Sequence, residues 1–200
     1  MSPRTAPDPA RRNERSRHAI LGAAMELLSE TGYATLTVEA IAARAGVGKQ
    51  TIYRWWPGKG AVVVDALTDA ALAQDTALPD TGDVRADLRT VIRATVAELA
   101  DPQRSLVSRA LTIETLGSDD LAEKVRDRLL RPQMDGIKDR LRAAQRVGQL
   151  RDDLDLDHAV ELLIGPPYHR WMLRTGPLTE SYADTVVDVA MAALAPPTGG

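Results

Sequence analysis

The chain has 200 residues, a formal net charge of −3, 44% hydrophobic residues and no cysteine. That length suits one compact body or a small and a medium domain, with enough apolar content for a real core. The lack of cysteine excludes disulfides, thiolate catalysis and cysteine metal sites. No apolar run approaches the ~20 residues of a membrane helix, and the charged N-terminus does not read as a signal peptide.

A cytoplasmic location is therefore the simpler expectation. Arg outnumbers Lys and Ala is abundant, which fits the codon bias of a GC-rich bacterial genome. The small net charge hides an asymmetry. Residues 1–60 carry nine Lys/Arg against five Asp/Glu, or +4, and the remainder carries sixteen against twenty-three, or −7. A basic N-terminal part on an acidic body is the footprint of a nucleic-acid reader joined to something else.

Residues 1–12 hold three prolines and little apolar content, and are expected to form a disordered arm. A helix starts near Asn13, with Ile20, Ala23, Ala24, Leu27 and Leu28 on one face, and Gly32 stops it. Thr37 sits at an N-cap position ahead of Val38, Ile41 and Ala42, the apolar face of a second helix. Gly46 can take positive φ and turn the chain sharply. Val47 and Ile52 can close a small core beneath that turn. Gly48, Lys49, Gln50, Thr51, Tyr53 and Arg54 are then left outward on a third helix. This is the layout of a helix-turn-helix unit, spanning 13–58, whose second helix enters the major groove.

Pro57-Gly58 breaks the chain, and a fourth helix is expected from Lys59 to about Thr76. A Pro-Asp-Thr-Gly-Asp loop covers 79–83. Val84, Leu88, Val91, Ile92, Val96 and Leu99 mark a fifth helix that ends at Asp101-Pro102. The sixth, over 103–116, is apolar around much of its surface and is expected to be central. Asp119 can cap a long seventh helix reaching about Val147, with Pro132 kinking or splitting it and Gly148 ending it. Asp155 or Asp157 can cap an eighth through about Arg174, bent by Pro166-Pro167. Thr179 can cap the last, and residues 196–200 form a disordered tail. The whole is all-α, with about nine helices and a second domain over 59–195.

Residues 37–59 read T-V-E-A-I-A-A-R-A-G-V-G-K-Q-T-I-Y-R-W-W-P-G-K. This run resembles the DNA-binding signature of TetR/AcrR-type transcriptional regulators, T-V-x-x-I-A-x-x-A-G-V-x-x-x-T-I-Y-x-x-(aromatic)-x-x-K. The matching residues are Thr37, Val38, Ile41, Ala42, Ala45, Gly46, Val47, Thr51, Ile52, Tyr53, Trp56 and Lys59. Trp56 stands where the family usually has Phe, and Val62 where it usually has Leu. The resemblance is specific over the first quarter to third of the chain and looser around G-Q-L-R-D-D-L-D and I-G-P-P-Y-H-R-W-M-L-R-T-G.

Within this frame Lys49, Gln50, Thr51 and Arg54 are candidate base readers. Arg and Lys can donate to guanine, Gln can pair with adenine, and a Thr methyl can meet a thymine methyl. The resemblance makes Tyr53 and Lys59 phosphate clamps, and Thr37 can add a backbone contact or serve as a plain N-cap. Arg11, Arg12, Arg15 and Arg17 either reach a neighbouring phosphate or belong to a solvated tail. Trp56 reads as core. Trp55 either lies against sugar-phosphate or is simply exposed.

Nothing points to an enzyme. His18, His158 and His169 are far apart, Ser105, Ser108 and Ser118 lack a nucleophile elbow, and Asp152-Asp153 has no metal-ligand partners at a recognisable spacing. No cofactor or metal is expected.

The resemblance further implies a homodimer that binds a palindromic double-stranded operator, more often as a repressor, and is released by a small-molecule effector. The C-terminal domain would then hold a ligand pocket and a dimer face. Helices five to seven would surround the pocket, lined by Val107, Leu111, Ile113, Leu116, Met134 and Ile137. Arg109, Thr112 and Glu114 would either orient the effector or serve local backbone and water. Tyr168, Trp171, Met172, Tyr182, Val186, Val189 and Met191 would form the dimer face, with an intramolecular core stripe as the alternative for some of them. A protein of the same fold that binds small molecules or partners without reading an operator is the rival reading.

Overall fold

The computed structural model describes residues 9–73 and 78–196. Expectations for 1–8, 74–77 and 197–200 lie outside the described residues. The regular elements among those described are all helical. They are α1 (Pro9–Thr35), α2 (Val38–Ala45), α3 (Lys49–Tyr53), α4 (Lys59–Ala73), α5 (Val84–Ala100), α6 (Pro102–Leu116), α7 (Asp119–Val125), a π-helical segment (Arg126–Leu130), α8 (Arg131–Arg146), α9 (Leu156–Leu173) and α10 (Glu180–Leu194). Counting α7, the π segment and α8 as one continuous run gives the nine helices expected.

The contacts divide the chain into two compact units. One holds residues up to 74 together with 110–129, and the other holds 75–109 together with 130–200. The helix-turn-helix therefore does not stand alone over 13–58. The helix α4 and the segment 110–129 are built into the same unit.

In that first unit, α1 begins at Pro9, four residues before the start expected near Asn13, so 9–12 belong to the helix and not to the disordered arm expected there. Gly32 ends its regular part at φ 75° and ψ 169°. Ile20, Ala24, Tyr33, Leu36, Ile41, Ile52, Trp56 and the run Ala61–Val64 are buried and form its core. One charged residue lies among them. Asp65 is 6% exposed, and its carboxylate accepts from Trp56 Nε1 at 2.7 Å and from Arg128 Nη1 at 3.2 Å. Lys124 Nζ lies 3.0 Å from the same carboxylate. A buried carboxylate is tolerable only when so paired. This cluster ties α4 to α7 and the π segment. It also explains Trp56 where a Phe is usual, since the indole N–H supplies a donor that a phenyl ring lacks.

In the second unit, Asp83 caps α5 by accepting from the Arg85 and Ala86 N–H groups, at 3.0 and 3.1 Å. Val84, Leu88, Ile92 and Val96, spaced by four, bury one face of α5 against Ala183, Val187, Ala190 and Leu194 of α10 and Leu163 of α9. Outside that seam Arg93 grips Asp184 with two 2.7 Å bonds, and Arg85 and Arg89 both reach Asp188. Asp155, not Asp157, caps α9, and Thr179 caps α10. Two prolines, Pro166 and Pro167, lie inside α9 without ending it.

Two local expectations change. Ser118, rather than Asp119, caps α7, its Oγ accepting from Leu121 N–H at 3.3 Å. Pro132 neither breaks the helix nor stands mid-turn. It occupies the second position of α8, directly after the π segment. Proline cannot donate to the carbonyl four residues back, and a wider π turn absorbs that loss while the run stays helical. The sixth helix also departs from expectation. Only Leu111 of α6 is buried, while Leu106, Ile113 and Leu116 are exposed. Its apolar residues are spread around the circumference, and a helix can turn only part of that circumference to its neighbours.

Candidate nucleic-acid interface

The interface is built on the turn between α2 and α3. Thr37 has extended φ/ψ, and its Oγ1 accepts from Ala40 N–H at 3.1 Å, so it caps α2. At the other end Gly46 takes φ 66° and ψ 33°. Its N–H and that of Val47 bond back to Ala43 and Ala42, at 3.3 and 3.0 Å. A side chain there would be strained by the left-handed backbone, which is why glycine occupies this position. Ile52, fully buried, anchors α3 to the core beneath. One pinned residue on a five-residue helix leaves the opposite face to solvent.

That face carries the predicted readers. Gly48, Lys49, Gln50, Tyr53 and Arg54 are exposed, and Thr51 is half-buried with its N–H bonded to Gly48 O at 2.9 Å. Tyr53 is 52% exposed despite its ring, so α3 does not use it for packing. The Arg54 guanidinium lies over the Trp55 ring at 5.5 Å, and Trp55 meets Trp56 edge to face at 5.4 Å. Trp56 is 2% exposed, as a core residue should be, while Trp55 is half-buried.

Three cations are less available than the sequence suggests. Lys59 donates to the carbonyls of Tyr33 and Leu36, at 3.1 and 3.0 Å, and sits 4.5 Å over the Tyr33 ring. Two of its three donors therefore hold the α1–α2 connection. Arg17 forms a bidentate pair with Asp69 on α4, both bonds 3.2 Å, so it belongs to the packed helix and not to an arm. Lys49 is paired with Glu39, which the sequence reading passed over. Its Nζ donates to Glu39 Oε1 at 3.0 Å. That hydrogen bond is the main reason the Glu39 carboxyl is held below its ordinary range and the Lys49 ammonium above its own. A carboxylate ten residues from the nearest reader carried no signal in a linear reading.

Behind the interface, Gly60 at the start of α4 allows a close approach. A Cβ there would lie 2.4 Å from Glu114 Oε2 and 3.1 Å from the Tyr33 hydroxyl. Burial first, and the Glu114 carboxylate second, raise the Tyr33 phenol far above its ordinary value. Glu114 thus packs within the first unit, where it lines an open cleft of about 430 Å³ with Pro57, Gly60, Ala61 and Leu121.

The residues predicted for a ligand pocket divide between the two units. Val107, Arg109, Met134 and Ile137 fall in one, and Leu111, Thr112, Ile113, Glu114 and Leu116 in the other. Ile137 is 4% exposed within the core of its unit, and Met134, partly buried, packs against that core. Arg109 is also engaged, donating to Trp171 O at 2.6 Å and lying 4.6 Å over its ring.

The predicted dimer face needs a similar correction. Trp171 is 2% exposed, with its Nε1 bonded to Ser105 Oγ at 2.7 Å, and Val186 and Met191 are buried in the α5–α9–α10 core. These three are the intramolecular stripe. Tyr168 stacks edge to face on Trp171 at 5.7 Å, and Tyr182 lies under the Arg170 guanidinium at 3.6 Å. Met172 and Val189 do face outward, 42% and 62% exposed.

Comparison with known proteins agrees with this geometry. Residues 20–66 match the model of the bacterial regulatory proteins of the tetR family, and residues 78–190 match a Tetracyclin repressor-like C-terminal domain. The chain belongs to the TetR family. It is 34% identical over 182 residues to YdeS of Bacillus subtilis strain 168, an uncharacterised HTH-type transcriptional regulator, with 88% of each chain covered. It is 27% identical over 189 residues to the DNA-binding transcriptional repressor TetR of Mycobacteroides abscessus, covering 93% of this chain and 97% of that one. Among solved structures, the TetR family transcription regulator SCO0332 superposes with a TM-score of 0.78 at 34% identity, covering 91% of this chain and all of that one. As a TetR-family member the chain is a helix-turn-helix transcriptional regulator. No helix among the described residues is long and apolar enough to cross a membrane.

Proposed function

We propose that this regulator is a cytoplasmic repressor that binds a palindromic operator as a homodimer and is released by a small-molecule effector. The observation that carries the reading is the outward face of α3, where Lys49, Gln50, Tyr53 and Arg54 stand exposed on a helix pinned from behind by Ile52. A polar, solvent-facing helix behind a left-handed glycine turn has the form needed to enter a major groove. Base reading falls to Lys49, Gln50, Thr51 and Arg54. Tyr53 and the α2 N-terminus at Thr37 supply backbone contacts, and Trp55 flanks the sugar-phosphate. Lys59 supports the same surface from beneath.

Dimerisation belongs to the outer faces of α9 and α10. Leu162, Met172, Leu173 and Val189 are apolar and exposed there, and a two-fold pairing of those helices would cover them. It would also set two reading heads for half-sites one helical turn apart, or a multiple. Effector binding is assigned to the second unit, where the exposed Leu106 of α6 offers apolar contact. An effector acts by binding one state better than the other, and DNA and effector then weaken each other reciprocally.

The test is a footprint of the purified chain on the DNA flanking its own gene, with sedimentation on the same sample. A protected inverted repeat and a dimer at micromolar concentration are expected. A monomer that protects no sequence would refute the reading.

A further inference from the structure

Lys49 is not an isolated cation on the outer face of α3. Its ammonium is hydrogen-bonded to Glu39 at 3.0 Å, and both side chains are more than half exposed. The placement follows from the turn. Glu39 is the second residue of α2, after the Thr37 cap, and Lys49 is the first of α3, after Gly48. The α2–Gly46–α3 fold brings these two helix starts within one side-chain reach. Thr37, Glu39 and Lys49 therefore lie together on the surface proposed to meet DNA.

A carboxylate at that place is costly for a protein that binds only through phosphate, since it repels the backbone and occupies a cation. We propose that Glu39 is a specificity-determining residue of this regulator. It holds Lys49 away from phosphate in general and yields it only to a duplex that offers a better acceptor. The inference rests on the DNA-reading function proposed above.

The magnitudes allow such an exchange. An exposed ion pair is worth a factor of roughly two to five, so Glu39 does not lock Lys49. A well-placed contact to guanine O6 and N7 discriminates by roughly 5- to 150-fold, enough to displace the carboxylate. A single phosphate contact on random DNA gains mainly by counterion release and is offset by both the lost pair and the Glu39 charge. Specificity rises while raw affinity falls.

The test is a salt series of anisotropy titrations with the full chain. It uses a duplex selected by the wild-type protein from a randomised pool and a shuffled version of that duplex. Glu39→Gln should tighten the shuffled duplex about three- to ten-fold and steepen its log–log salt slope by about 0.9, the value of one added phosphate contact. The selected duplex should gain less, so the ratio between the two falls. In a Lys49→Gln background, Glu39→Gln should change the shuffled affinity by less than about two-fold. Glu39→Asp, which keeps the charge but shortens the reach, should relax discrimination partway. Equal gains on both duplexes, the same gain with Lys49 removed, or no gain at all would overturn the inference. If the wild-type chain binds no duplex in a salt-sensitive way, DNA reading itself fails and this inference falls with it.

Discussion

Lys59 holds the α1–α2 connection through the Tyr33 and Leu36 carbonyls, so removing its charge should weaken the fold itself. A charge-assisted hydrogen bond contributes about 1.5–3 kcal/mol. Lys59→Ala should lower the stability of the reading unit by about that amount, measured by urea unfolding. Lys59→Arg, which keeps a cation at the end of the stem, should recover part of it. If Lys59→Ala leaves the unfolding midpoint unchanged while weakening every duplex alike, Lys59 acts on phosphate alone. Residues of this kind mark the limit of a linear reading. The cap at Thr37, the left-handed turn at Gly46 and the burial of Ile52 and Trp56 were legible because each follows from local backbone need or apolar spacing. The Lys49–Glu39 and Lys59–carbonyl contacts were not, because they depend on which turns lie side by side.

The same contrast holds among elements. Apolar periodicity marked α2 and α5, and the cap candidates Asp155 and Thr179 placed the starts of α9 and α10. The linear reading misjudged α6, where abundant apolar residues suggested a central helix, yet Leu106, Ile113 and Leu116 are exposed. Composition alone cannot say which side of a helix finds neighbours. The resemblance assigned Trp171 and Val186 to a partner chain, yet Trp171 is already buried beside Ser105 and Arg109 of α6, and Val186 in the core of α5, α9 and α10. An Asp at either position would therefore unfold the second unit before it could report on dimerisation. Leu162 and Val189 are the better positions for that experiment.

Asp65 links α4 to α7 and the π segment through Trp56, Lys124 and Arg128. In sequence it is the single charge in an apolar run, Ala61–Ala66, a signal of a buried partner that the linear reading did not use. Asp65→Ala leaves the Trp56 N–H without an acceptor, at a cost of about 1–3 kcal/mol. Asp65→Asn keeps an acceptor and should cost less. Thermal melts of the two variants check the order, and an Asp65→Ala midpoint equal to wild type would contradict the hub.

In the second unit, Asp87 is 1% exposed and binds Arg140 Nε at 2.7 Å, Thr81 Oγ1 at 2.7 Å and the Thr81 N–H. Burial pushes its carboxyl up, but the Thr81 hydrogen bonds and Arg140 outweigh it and hold it below its ordinary 3.8. A depressed folded-state value favours the fold above the unfolded one and loses that contribution as pH falls through the folded value. Stability should therefore decline in acid below about pH 4, the unfolded carboxylate range. Asp87→Asn should flatten that part of the curve and lower stability at neutral pH. A variant as acid-sensitive as wild type would assign the decline to other carboxylates.

At the scale of the whole molecule, the two units carry different duties. The first presents α3 and the second supplies the apolar outer faces of α9 and α10. The family assignment rests on both, since separate matches cover 20–66 and 78–190. What the sequence could not convey is that 110–129 packs with α1 to α4, because that depends on contacts between residues far apart in the chain, such as Asp65 with Arg128. The excess of positive charge lies within residues 1–60, the stretch that carries α3, and should make the encounter with DNA sensitive to ionic strength.

Sequence reading by the outer face of α3 can be tested directly. The most direct measurement is an anisotropy titration of wild type and Arg54→Ala on a selected duplex and its shuffled counterpart, over a series of salt concentrations. Wild-type affinity should fall linearly with log salt, by about 0.9 log unit per phosphate contact. Arg54→Ala should lose about 1–3 kcal/mol on the selected duplex and much less on the shuffled one. Equal losses on the two duplexes, or wild-type binding that ignores both salt and sequence, would contradict the account.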